Sequence, residues 1–282
     1  MIFAMERSYF QEYLARGIRA EAQITEEALS RTLPSGEPEQ LYRVVNGDAR
    51  IPIQGILSNR RSLFDILFGL GPALLYDEMI EALHQAEEDP AVRRIVLDVN
   101  SPGGRVDGLD DAAQAIAKVQ KPTLALVRDM AASAAYWLAS QAGRIEVTSP
   151  TATVGSIGVL ATVIDDKEML KNWGLKEIII TSTDAPKKYV DPATEAGQVE
   201  IRKVLDGIHS VFVQRVAAGR KVGAATVTES YGRGALVMSN MAVAIGMIDG
   251  ITSHEPGSTG SSSRESSEAN LQAFREKIKR LG

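Results

Sequence analysis

Between residues 76 and 181, short apolar runs alternate with stretches whose apolar positions recur at helical spacing. No other feature restricts the fold as much. From residue 76, Y-D-E-M-I-E-A-L-H-Q-A-E-E has helical periodicity, and R-R-I-V-L-D-V-N after it is a short buried strand. D-G-L-D-D-A-A-Q-A-I-A-K-V-Q is helical again, and P-T-L-A-L-V-R is a strand. Ala134 to Gln141 reads as helix, R-I-E-V-T as strand, D-K-E-M-L-K-N-W as helix and L-K-E-I-I-I-T, residues 175–181, as strand. Parallel neighbours need a crossover long enough to hold a helix. The pattern therefore predicts an α/β fold with a mostly parallel sheet and flanking helices.

The flanks differ in composition. Residues 1–40 read as a helical extension running into the linker L-P-S-G-E-P-E-Q. Residues 41–252 form the main domain, which opens with two apolar runs around Asn46-Gly47-Asp48, a hairpin signal because Asn-Gly tolerates positive φ. Residues 194–218 read as one long amphipathic helix stopped by Gly219, with His209 a surface or packing residue inside it. Residues 253–282 are a Ser/Gly-rich linker followed by a short charged helix.

Several functions are excluded early. A net charge of -5 offers no basic stripe for nucleic acid. The absence of cysteine removes disulfides and thiolate chemistry. His84, His209 and His254 are too far apart to show metal-ligand spacing, so neither a metal nor any other cofactor is expected. The segment M-I-F-A-M-E-R-S-Y-F lacks the basic start and apolar stretch of a signal peptide. No apolar run reaches the roughly 18 residues of a bilayer span. The nearest, F-D-I-L-F-G-L-G-P-A-L-L-Y at 64–76, carries Asp65 and several breakers and reads as a loop packed on a groove or another subunit. A soluble, intracellular protein without stable membrane insertion is expected.

Three features carry chemistry. N-S-P-G-G-R-V-D-G, residues 100–108, follows a buried strand and precedes a helix, so its adjacent glycines are placed to expose backbone N–H groups to a ligand; the plainer reading is a tight turn. D-M-A-A-S-A-A-Y-W-L-A-S, residues 129–140, sets one hydroxyl, Ser133, among alanines at a strand-to-helix junction. That junction lifts a nucleophile above a parallel sheet and aims a helix N-terminus at it; the plainer reading is a helical serine bonded to its own backbone. No histidine is placed as its base. Lys187 and Lys188, in T-S-T-D-A-P-K-K-Y-V-D-P, are the alternative partners, and neighbouring cations and burial both favour a neutral amine. Otherwise this loop is a solvated turn.

The ordered series I-P-I-Q-G, L-D-V-N-S-P-G-G-R-V-D-G, A-A-S-A-A-Y-W-L-A-S and T-V-G-S-I-G-V resembles the signal peptide peptidase A family of serine proteases. It is most similar to the head protein C branch of tailed phages, the capsid-maturation proteases, from about residue 44 to about residue 250. The resemblance implies a Clp-protease-like, crotonase-like fold and a Ser–Lys dyad with Ser133 as nucleophile. The phage pattern Pro-x-Lys-x-x-Asp selects Lys188 as base, whereas counting back from the proline as in the membrane-bound members selects Lys187. An oxyanion hole is implied at the N–H groups of Gly103, Gly104 and Ala134.

The implied partners are a polypeptide substrate, such as a scaffold or capsid protein, and further copies of the chain sharing a site between subunits. The implied place is the cytoplasm of an infected or lysogenic bacterial host, and the phage prohead. Three other readings stand beside this one: an inert structural head or portal protein, a peptidase degrading hydrophobic peptides, and a crotonase-type acyl-CoA enzyme.

Overall fold

The first register of the sheet is set by the turn at Asn46 and Gly47, both at positive φ (54° and 82°). This turn joins β2 (Arg43–Val45) to β3 (Asp48–Gln54) with Val45 opposite Asp48, the hairpin predicted from Asn-Gly. The computed structural model describes residues 2–5, 41–60, 74–163 and 165–252. The readings made for residues 6–40, 64–73 and 253–282 lie outside the described residues.

After β3 come α1 (Tyr76–Glu88), β4 (Arg94–Ser101), β5 (Gly103–Arg105), α2 (Leu109–Lys118) and β6 (Thr123–Ala132). Next are α3 (Ala134–Ala139), β7 (Arg144–Val147), β8 (Thr153–Gly155), β9 (Leu160–Ala161) and α4 (Lys167–Asn172). The chain continues through α5 (Glu195–Arg220), α6 (Ala224–Ser230), β10 (Leu236–Met238), α7 (Ser239–Ala244) and β11 (Gly250–Ile251). In the main sheet β3, β4, β6, β7 and β11 run parallel in that spatial order. β6 is long enough to serve two neighbours: Leu124–Val127 pair with β7, and Met130–Ala132 pair with β8. Among the described strands only β2 and β10 join it antiparallel, so the sheet is mostly parallel, as the alternating pattern predicts.

The helices cover the sheet through the apolar positions that made them legible. α1 buries Tyr76, Met79, Ala82, Leu83 and Ala86, and α2 buries Leu109, Ala112, Ala113 and Ile116, each against strand residues such as Ile51, Ile95 and Leu97. All six residues of α3 are buried. Trp137 of α3 stacks on Phe212 of α5 with ring centroids 4.5 Å apart. Burial of such a side chain contributes about 1.5–3 kcal/mol, which fixes α3 under the C-terminal half of α5.

Three expectations are corrected. Gly219 does not stop the long helix, which runs to Arg220 with Lys221 in the left-handed region. A side chain at Gly219 would sit 2.0 Å from the Ser140 carbonyl oxygen, so this glycine serves close packing of α5 on the end of α3. Residues 175–181 form no strand; Leu175, Ile178 and Ile180 are exposed, and no described strand lies beside them to complete a ladder. Residues 2–5, expected within a helical extension, form β1 (Ile2–Met5) because two open strand edges, β5 and β9, receive it.

Candidate active site

The site begins where β6 ends. Ser133 has φ 54° and ψ -117°, a conformation that costs a residue with a Cβ about 1–3 kcal/mol. Neighbouring contacts hold it there. Its N–H donates to the Gly155 carbonyl at 2.7 Å, and its carbonyl accepts from the Trp137 N–H at 2.9 Å, opening α3. Ala131, Ala132, Ala134 and Ala135 are fully buried around it, so larger side chains would have no room. Ser133 itself is 1% exposed, and its hydroxyl donates to the Gly158 carbonyl at 3.4 Å. The Ala134 N–H is the first of the orphan donors at the start of α3.

A second wall comes from β5. The Leu57 N–H donates to Gly103 O at 2.9 Å and the Arg105 N–H donates to Leu57 O at 2.8 Å, which clamps Gly104 between them. A Cβ on Gly104 would lie 1.9 Å from Leu57 O, so only glycine fits. Because the flanking polar groups are spent on Leu57, strand alternation turns the N–H and C=O of Gly104 the other way, toward β1. The Tyr76 hydroxyl donates to Arg105 O at 2.8 Å, and burial pushes that phenol's pKa well up, so it stays a donor.

Ser101 was not singled out from the sequence, yet it organises this wall. Its buried hydroxyl donates to Gly55 O at 2.7 Å and accepts the Gly103 N–H at 3.1 Å. Of the three expected oxyanion donors, Gly103 is therefore engaged with Ser101, and the N–H groups of Gly104 and Ala134 are those the fold does not spend on such a side chain. The signal for Ser101 was its place in N-S-P-G-G; its partner at Gly55 lies too far along the chain to be read.

The lysines lie on a different kind of surface. Lys187 Nζ donates to Glu200 at 2.9 Å with most of its side chain in solvent. Bonds from Lys187 and Lys203 lower the Glu200 carboxyl to about 2. Lys188 is exposed; its backbone N–H closes a turn on Ala185 O at 3.0 Å. Among the described residues, neither lysine is hydrogen-bonded to Ser133. The chain thus brings Ser133, Gly104 and Ala134 together on buried elements and carries both lysines on an exposed loop. The described residues hold no cluster of potential metal ligands, and no helix among them is long and apolar enough to cross a membrane.

Residues 115–259, which include Ser133 and both lysines, match peptidase family S49. The chain belongs to that family. It is 36% identical over 201 residues to the head-tail preconnector protein GP5 of Enterobacteria phage P21, covering 68% of this chain and 39% of that one. To the capsid assembly protease C of Escherichia phage lambda it is 34% identical over 216 residues, covering 73% of this chain and 48% of the relative. It thus spans less than half the length of either relative. Among solved structures it is similar to a ClpP1 variant of Listeria monocytogenes, at 13% identity and TM-score 0.46 over 73% of this chain and 93% of that one.

Proposed function

We propose that this S49 chain is a serine endopeptidase in which Ser133 is the nucleophile and Lys188 the general base, with Lys187 the alternative. The observation that carries the reading is the backbone of Ser133: a buried, non-glycine residue at φ 54°, at the end of a central parallel strand and the start of a helix. A serine with a purely structural role gains nothing from that strain, whereas a nucleophile needs its hydroxyl aimed past the strand end. The Ser133 Oγ attacks the substrate carbonyl carbon while its proton passes to a neutral lysine amine. The oxyanion forms against the N–H groups of Gly104 and Ala134, each donor worth about 3 kcal/mol at the transition state. The lysine then protonates the departing amine, and water releases the acyl group by the same route.

A lysine acts as base only where burial and the absence of carboxylates favour its neutral form. The exposed loop bearing Lys188 meets that condition when a second copy of the chain covers it. A homo-oligomer with the site shared between subunits supplies both the cover and the facing serine. Trp173, Leu175, Ile178 and Ile180, all exposed on the same segment, supply apolar surface for such a contact. The two phage relatives support a scaffold or capsid protein as substrate, acted on during head assembly inside the prohead. The test is incubation with candidate head proteins and mapping of new termini by mass spectrometry. Termini that appear with the wild-type chain and vanish with Ser133→Ala support the reading. No cleavage, or the same termini with Ser133→Ala, overturns it and leaves the inert structural role.

A further inference from the structure

Strand β1 lies between β5 and β9 and pairs antiparallel with both. Phe3, Ala4 and Met5 stand opposite Arg105, Gly104 and Gly103, while Ile2 and Phe3 stand opposite Ala161 and Leu160. This three-stranded layer is separate from the main sheet. Without β1, β5 would present an open edge on the side away from Leu57, and β9 would present one facing it. Two parallel edges one strand apart form a slot for an extended peptide, held by main-chain hydrogen bonds on both sides.

The slot leads to Ser133. Along β5, the register carries β1 toward Gly103, beside the wall described above. Along β9, continuing the register from Phe3 opposite Leu160 sets Met5 beside Gly158, whose carbonyl accepts the Ser133 hydroxyl. Both edges converge on the same end of the strand. The backbone of Ala4 is paired with Gly104, so β1 engages the N–H that the proposed oxyanion would use. β1 therefore fills the edge pairings that an extended peptide would use to reach Ser133.

We propose that residues 2–5 are an internal occupant of the peptide groove and compete with substrate for the Ser133 site. The proposal rests on the peptidase reading only in naming the groove's purpose. A tethered strand acts at an effective concentration of about millimolar, with no second molecule needed. If the strand fills the groove at least nine-tenths of the time, an external peptide binds at least tenfold more weakly than to an emptied groove.

The test uses binding, so that it stands apart from turnover. The full chain carrying Ser133→Ala is titrated with a fluorescein-labelled peptide M-I-F-A-M-E-R-S-Y-F, and compared with two further variants in the same background. One lacks residues 1–10, and the other carries Ala4→Pro, which removes the N–H facing Gly104. Circular dichroism and Tm check that both remain folded. At least tenfold tighter binding to both variants than to the parent is expected. Equal affinity for all three, or no binding to either folded variant, overturns the proposal. Failure of the peptidase reading would show separately, as absence of cleavage by the chain with Ser133 intact.

Discussion

Replacing Gly104 by alanine tests the construction of the site most directly. The added Cβ would sit 1.9 Å from Leu57 O and 2.5 Å from the Leu57 backbone carbon and nitrogen. Backbone cannot yield as a side-chain tip does, so β5 must move away from Leu57 by more than an ångström to reach ordinary contact. That shift stretches the Leu57–Gly103 and Arg105–Leu57 hydrogen bonds, at about 1 kcal/mol each. Overpacking adds about 1–3 kcal/mol. The expected loss is about 3–5 kcal/mol, and roughly 2–4 °C of Tm per kcal/mol places the drop near 10 °C. The displaced Gly104 N–H also leaves the oxyanion position, so kcat falls by about a hundredfold to a thousandfold. Thermal unfolding and peptide-cleavage kinetics read both effects. Gly207→Ala, on the exposed side of α5, is the control, because a Cβ there meets nothing within 4 Å. A Gly104→Ala protein with unchanged Tm and kcat within threefold of wild type would refute the clamped-wall argument.

Ser133→Gly should abolish cleavage while raising Tm by a few degrees, since glycine relieves the positive φ at a gain of about 1 kcal/mol; an unchanged or lower Tm would show that Ser133 is not strained. Lys188→Ala should remove activity and Lys187→Ala only reduce it, read by initial rates; the reverse order moves the base to Lys187. Mixing Ser133→Ala with Lys188→Ala chains under verified subunit exchange should restore part of the activity, and none restored would place both groups in one subunit. Asp249 gives a pH test. Burial raises its pKa, but the Arg220 hydrogen bond and the Ile145 N–H outweigh that and hold it below the usual carboxylate range. The resulting stability is present above the unfolded carboxylate pKa of about 3.9 and is lost as pH falls through the lower folded value. Asp249→Asn should therefore lower Tm at pH 7 and flatten its decline below pH 4; a parallel decline would exclude Asp249 from the acid sensitivity.

What was legible in the sequence was what is decided locally. Ile95, Leu97 and Val127 form buried strands because their runs are short and apolar, and Asn46-Gly47 turns because its own conformational preferences demand it. Ser133 was legible for the same reason: strand, serine and helix are contiguous. The failures all turn on partners distant in the chain. The isoleucines at 178–180 look like a strand, but a strand needs a neighbour's N–H and C=O groups, and sequence does not say whether one arrives. Ile2–Met5 offers the converse, a segment given strand form by the edges of β5 and β9. Gly219 looks like a helix stop until Ser140 O is seen against it, and Ser101 is an ordinary loop serine until Gly55 is brought alongside.

The two halves of the candidate site are built in unlike ways, and the difference bears on control. Ser133 is over-determined: its N–H, its carbonyl, the buried alanines and the clamped β5 wall each fix it independently. The lysine loop is held by exposed ion pairs, Lys187 with Glu200 and Lys167 with Asp191, which are weak in water and screened by salt. Rearranging that loop costs little beside disturbing the serine. On the proposed reading the nucleophile stands ready in the single chain, whereas the base awaits burial by a neighbour, so assembly rather than folding completes the catalyst. The strand at 2–5 then adds a second condition, because a completed site still has to lose its internal occupant before a head protein enters. A protease restricted in both ways would spare its substrates until they are gathered with it.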